Sequence, residues 1–211
     1  MTAGVAATGK NGLMTENLDP AAATTASAPT ATRAPRRLLV GLFALAAFVI
    51  AADQLSKWWA EANLGDGKNI PIIGDLLSFQ LVYNPGAAFS LAEEYTWVLT
   101  IIAALAVVGI TWYSLTVQSR AWAVALGMLL GGAITHLGDR LFRDPGFARG
   151  HVVDFINYNG YFIGNIADIA LVGGAIMIVV ISMMGIAAKP ERVTATPEAE
   201  ADAAAHSATN E

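Results

Sequence analysis

Four apolar runs, each about as long as one membrane crossing, constrain this chain more than any other feature. They are "LLVGLFALAAFVIAADQLSKWWA" (38–60), "TWVLTIIAALAVVGITWYSLTV" (96–117), "AWAVALGMLLGGAITHLGDRLF" (121–142) and a fourth run over 165–188. A helix needs about 20 predominantly apolar residues to cross a bilayer core. It also satisfies its own backbone hydrogen bonds there, which an open loop does not. Composition agrees: 55% of residues are hydrophobic and 14% charged, with mean hydropathy +0.52, whereas soluble domains carry about 25% charged residues. The expected fold class is an all-α polytopic membrane protein with four transmembrane helices. A cleaved signal peptide is the other reading of the first run, because Arg36 and Arg37 precede it. The length of that run and the stretch of residues 1–35 ahead of it favour a retained span.

Charge sets the expected orientation. Arg33, Arg36 and Arg37 precede the first run, Arg120 sits between the second and third, and Lys189 and Arg192 follow the fourth. An even number of spans puts all of them on one side, so both termini are expected in the cytoplasm. Trp58, Trp59 and Trp97 then mark the outer interface, and Trp112 and Trp122 the inner one. Residues 1–35 and 189–211 are rich in Ala, Thr, Pro and Glu without apolar period. They read as disordered tails around a membrane domain over 36–188.

Several functions are excluded early. The chain has no cysteine, which removes disulfides, thiol catalysis and cysteine-held metals. It has three scattered histidines and no HExxH, so no metal site is expected. No basic stripe points to nucleic acid.

Two outer loops remain, 61–95 and 143–164. In the first, "SFQLVYN" alternates, with Phe79, Leu81 and Tyr83 on one face and Ser78, Gln80 and Asn84 on the other. That is a strand pattern, and "NIPII" is a candidate partner, making a small β-sheet cradle in the first outer loop. "YNPGAAFS" (83–90) reads as a turn leaving that strand; Gly86, Ala87 and Ala88 permit close backbone approach.

The carboxylates carry the chemistry. Asp154 lies in the second outer loop and Asp168 in the first turn of the fourth helix. Singly, each has a plain explanation: a solvated loop acid, and an acid favoured at a helix N-terminus. As a close pair they cannot both ionise easily. One activates water while the other polarises a carbonyl, the logic of aspartic proteases. His136, Asp139 and Arg140 share one face at the end of the third helix, either as an interfacial ion pair or as support for the acids. Asp53 and Lys57 are four apart on the first helix and share a face. A snorkelling lysine is the plain reading, but an aspartate beside it within a span calls for a partner.

In order, "DQLSK" (Asp53, Lys57), "NPGAAF" (Asn84, Gly86, Ala87, Phe89), "DRL" (Asp139, Arg140), "VVDFI" (Asp154) and "NIAD" (Asn165, Ala167, Asp168) resemble the lipoprotein signal peptidase (signal peptidase II) family over about 38–188. The resemblance implies an aspartic endopeptidase of the bacterial cytoplasmic membrane, with its active site near the outer face. It implies removal of signal peptides from prolipoproteins by a cut before a diacylglyceryl-modified cysteine. It further implies a monomer, contact with membrane lipid, and no cofactor. Asp154 and Asp168 fall on the catalytic positions. Asp53, Lys57, Asn84, Gly86, His136, Asp139, Arg140 and Asn165 fall on supporting or substrate-binding ones. Two departures stand out: Thr135-His136 replaces a Gly-Asn pair, and Gly164 replaces a Phe. The rival classes are a small proton-coupled transporter, against which the one-sided clustering of charge argues, and a noncatalytic membrane assembly factor.

Overall fold

The computed structural model describes residues 33–65, 67–86 and 95–189. The elements run α1 (Arg36–Asn63), β1 (Asn69–Ile73), β2 (Leu77–Asn84), α2 (Thr96–Ser114), α3 (Arg120–Phe142), β3 (Val152–Tyr158), β4 (Phe162–Gly164) and α4 (Ile166–Met183). All four helices are long and apolar enough to cross a membrane. At 28 residues, α1 is about 42 Å long at 1.5 Å per residue, well beyond the ~30 Å of a hydrocarbon core. The expected tails fall outside the described residues except at their inner edges. There Ala34 is buried, and its N–H donates to the Leu115 carbonyl at 2.8 Å. Lys189 sits 5.5 Å from the centre of the Tyr113 ring.

Helix α3 is the hub, and α1, α2 and α4 all pack on it. Its neighbouring glycines make this possible. A Cβ on Gly131 would lie 2.7 Å from Val49 Cβ and 2.9 Å from the Ala46 carbonyl on α1, and one on Gly132 would lie 2.9 Å from the Ala167 carbonyl on α4. Helix α1 buries Leu42, Ala46, Val49, Asp53, Lys57 and Ala60. Those spacings of three and four form a single stripe, and the stripe carries Asp53 and Lys57 into the bundle along with the apolar residues.

The end of the bundle that bears Arg36, Arg37, Arg120 and Lys189 is tied by hydrogen bonds to main-chain carbonyls. Gln118 N–H donates to the Ala188 carbonyl at 2.8 Å, and the Trp122 indole to the Ile186 carbonyl at 2.7 Å. At the other end lies one antiparallel sheet of order β1-β2-β3-β4. It is larger than expected, because β3 and β4 come from the second outer loop. A bulge in β2 also corrects the expected alternation. Phe79 pairs with Ile156 and Val82 with Asp154, so three steps on β2 match two on β3. The extra residue reverses the side-chain phase. Asn84 therefore leaves the face of Ser78 and Gln80 and joins that of Val82 and Asp154. Beneath the sheet, Trp59 of α1 meets Phe79 edge-on at 5.4 Å and Phe155 at 6.5 Å, fixing the sheet to the helix end.

The glycine contacts generate a test. Gly131→Leu drives a side chain into α1 and is expected to cost about 1–3 kcal/mol of stability, read as a lower Tm in detergent. Gly109→Leu on α2, where nothing lies within 4 Å, is expected to leave Tm unchanged.

Candidate active site

Asp154 is on β3, not in an irregular loop, and it is buried. Asn84 of β2 donates to its Oδ2 at 2.9 Å, and the Asn165 side chain donates to its Oδ1 at 2.6 Å. The Asn84 side-chain Oδ1 in turn accepts from Gly86 N–H at 3.0 Å, so the Asn-Pro-Gly turn aims the amide at the acid. Burial is the largest influence on Asp154 and pushes its carboxyl up to about 6. The Asn84 hydrogen bond opposes this, the charge of Asp168 adds to it, and Asn165 and His136 oppose it.

Asp168 is the third residue of α4. Asn165 caps the helix: its side chain accepts from Asp168 N–H at 3.1 Å, while Asp168 Oδ2 accepts from Asn165 N–H at 2.8 Å. This is a reciprocal capping box with Asp in the third position. His136 Nε2 lies 3.1 Å from Asp168 Oδ1. Asn165 is therefore the joint of the site, with its backbone on one acid and its amide on the other.

Both acids line a cavity of about 330 Å³, together with Asn84, Gly86, His136, Arg140, Val152, Phe162, Leu171 and Val172. A wider cavity of about 580 Å³ lies at Glu61, Tyr83, Arg143 and His151. Size does not choose between them. Only the smaller one joins two carboxylates to amide donors and an apolar wall, the combination that marks a reactive site.

Asp53, Lys57 and Asp139 stand behind the cavity. Lys57 does not snorkel: it is fully buried, 2.6 Å from Asp53 and 2.7 Å from Asp139. Asp53 Oδ1 accepts from Ala167 N–H at 2.9 Å, and Asp139 Oδ2 from Val153 N–H at 3.4 Å. Each buried aspartate thus holds the amide just before one of the two cavity acids. Asp139 and Arg140 do not pair with each other. Asp139 turns to Lys57, to Gln54 at 3.1 Å and to Arg143 at 2.8 Å. Arg140 donates to the Pro85 carbonyl at 3.2 Å and to that of Gly86, clamping the turn that aims Asn84. Ala87, Ala88 and Phe89 lie outside the described residues.

Sequence reasoning missed Gln54, Glu61, Arg143 and Phe162. Arg143 extends the buried network to Glu61 at 2.6 Å; its place four residues after Asp139 was the available signal. Phe162 accounts for the Gly164 departure. A Cβ on Gly164 would fall 2.7 Å from the Phe162 ring and 2.8 Å from Asp168 Oδ2, so the ring two residues earlier occupies the space beside the acid.

Fold and site together define a class: a multi-pass membrane protein with two carboxylates converging on one cavity at the end of its helix bundle. A profile of the signal peptidase (SPase) II family matches residues 45–184. A lipoprotein signal peptidase of Mycobacterium avium is 52% identical over 153 residues, covering 72% of this chain and 84% of that protein. One from Rhodococcus jostii is 46% identical over 151 residues, covering 72% and 75%. A bacterial membrane enzyme solved by the in meso method at 2.3 Å superposes with a TM-score of 0.61 at 25% identity, covering 73% of this chain and 94% of that one. The chain belongs to the signal peptidase II family.

The buried bridge can be tested apart from chemistry. Lys57→Met removes the ammonium between Asp53 and Asp139, while Arg143 still pairs with Asp139. Breaking a buried ion pair from one side costs about 3–5 kcal/mol, so thermal unfolding in detergent is expected to fall sharply. Lys68→Met at an exposed position is expected to change stability by less than about 0.5 kcal/mol.

Proposed function

We propose that Asp154 and Asp168 are the catalytic pair with which this signal peptidase II-family protease removes signal peptides from prolipoproteins. The observation that carries the reading is the shared cavity, in which both carboxylates are held through Asn165. Both oxygens of Asp168 are placed as acceptors, which suits the base. Asp154, pushed up to about 6 by burial, suits the acid. Asp168 takes a proton from water as the water oxygen attacks the scissile carbonyl carbon. Asp154 gives its proton to the carbonyl oxygen, and the proton held by Asp168 then goes to the departing amine as the C–N bond breaks. The products are a carboxylic acid and a free amine, with both carboxyls reset by proton exchange.

The substrate's signal helix lies against the bundle, and the diacylglyceryl chains of its modified cysteine stay in lipid. The apolar wall of Leu171, Val172 and Phe162 is the surface suited to such a ligand. The membrane domain spans 36–188 with both termini in the cytoplasm, and this orientation rests on the arginines and lysine at one bundle end. The site then faces the outer side of the bacterial cytoplasmic membrane, and the working unit is a monomer. A transporter is disfavoured because the polar groups gather at one end of the bundle. A noncatalytic assembly factor has no use for two carboxylates on one cavity.

Asp154→Asn and Asp168→Asn are each expected to lower cleavage by about 100- to 10,000-fold with little change in Tm. The readout is a gel shift of a lipidated precursor in reconstituted membranes, and near-native turnover by either variant would refute the pair. Asp154 must hold its proton to act, and its folded value is raised. Activity is therefore present below that value and lost as pH rises through it. We expect kcat/KM to decline above about pH 6, with the matching limb of kcat at higher pH because bound substrate excludes water.

A further inference from the structure

We infer that His136 is a positioning residue that holds the Asp168 carboxylate by its Nε2–H and couples its own charge to the proton on Asp154, so that it sets the pH range of this peptidase. The inference rests on the Asp154–Asp168 reading above.

His136 Nε2 is 3.1 Å from Asp168 Oδ1, with the two side chains 20% and 25% exposed. A carboxylate only accepts, so the hydrogen between them sits on Nε2 whenever Asp168 is ionised. In neutral His136 that fixes the tautomer, and Nδ1 is left without a hydrogen. The other oxygen of Asp168 is taken by Asn165 N–H at 2.8 Å. Two donors on two oxygens define both the position and the rotation of the carboxylate. Without His136, the helix cap is the one restraint on it among the described residues, and it holds Oδ2 rather than Oδ1. A nucleophilic water must be aligned by that oxygen, and small misplacement is costly in rate.

Protonation adds a second effect. Imidazole, unlike a side-chain amide, can carry a positive charge. A positive His136 lowers the cost of ionising Asp154. The charged and titratable groups that line the cavity with it are Asp168 on α4, Asp154 on β3 and Arg140 one turn along α3. The buried charges of α1 are paired, with Lys57 bridging Asp53 and Asp139. His136 is thus the one histidine among the groups lining the cavity. Its charge and the proton on Asp154 are in competition for the same two negative sites.

Two variants separate these effects. Glutamine places an amide N–H close to where Nε2 stands and does not titrate. Leucine fills the space and donates nothing. With a lipidated precursor in reconstituted membranes, His136→Gln is expected to keep cleaving while the alkaline limb of kcat/KM moves up by about half a pH unit, because the opposing positive charge is gone. His136→Leu is expected to lose about 10- to 100-fold in kcat with KM within about twofold. Tm of both variants is measured alongside. An unchanged pH profile in His136→Gln overturns the charge coupling, and native kcat in His136→Leu overturns the positioning. Asp168→Asn run in parallel distinguishes the two levels: if it cleaves, the catalytic pair itself has failed; if it is dead while both His136 variants behave as native, only the inference about His136 has failed.

Discussion

The buried ammonium of Lys57 is the constraint on which the rest depends. It lies between Asp53 and Asp139 with no exposure to solvent. Charges removed from water are destabilising unless each finds a partner and further hydrogen bonds. Here the spare oxygens are used. Asp53 takes the Ala167 amide, and Asp139 takes Val153, Gln54 and Arg143. Among the described residues no buried side-chain nitrogen or oxygen lacks a hydrogen bond. The bridge joins α1 to α3, and its two acids reach on to the start of α4 and to β3. Those are the elements that carry Asp168 and Asp154, so the separation of the two cavity acids follows from a network that touches neither side chain.

Asn165 completes this from the front. Its single side chain does two jobs that would conflict if its amide were reversed. The carbonyl oxygen caps α4 by accepting from Asp168 N–H, which leaves the NH₂ group to donate to Asp154. The cap therefore dictates which end of the amide faces the second acid. Helix formation and site geometry are the same hydrogen bonds, and a helix N-terminus favours negative charge in its first turn. An acid that would be costly at mid-bilayer is stabilised at this position by the backbone itself.

Much of this was legible in the chain. Span length and composition marked the four helices, and motif order marked the residues that meet at the site. Strand β3 was not legible. Six of its seven residues are buried, so "VVDFINY" lacks the polar–apolar alternation that betrays a half-exposed strand. The β2 bulge was hidden as well, since a one-residue slip leaves composition unchanged while it moves Asn84 to the other face. For Lys57 the plain reading was snorkelling, although the aspartate beside it called for a partner. The stripe through Leu42, Ala46, Val49 and Asp53 pointed the other way, because it continues to Lys57 without a break. The His136–Asp168 contact spans 32 residues in sequence, beyond the reach of any local pattern.

Peptide hydrolysis at a membrane asks for two environments that normally exclude each other. Water must reach the bond to be cut, and an apolar signal peptide must lie beside it. With Asp154 and Asp168 as the proposed catalytic pair, their place at the bundle end, between β3 and α4, suits both demands. Asn84, His136 and Arg140 give the cavity a polar side, and Leu171, Val172 and Phe162 give it an apolar one. The raised proton affinity of Asp154 follows from the same compromise. A fully hydrated acid would be ionised at neutral pH, and one sunk in hydrocarbon would never meet water. A pocket half-walled by apolar side chains, with two amides on the carboxylate, holds the acid between those limits, where a proton can be both kept and given.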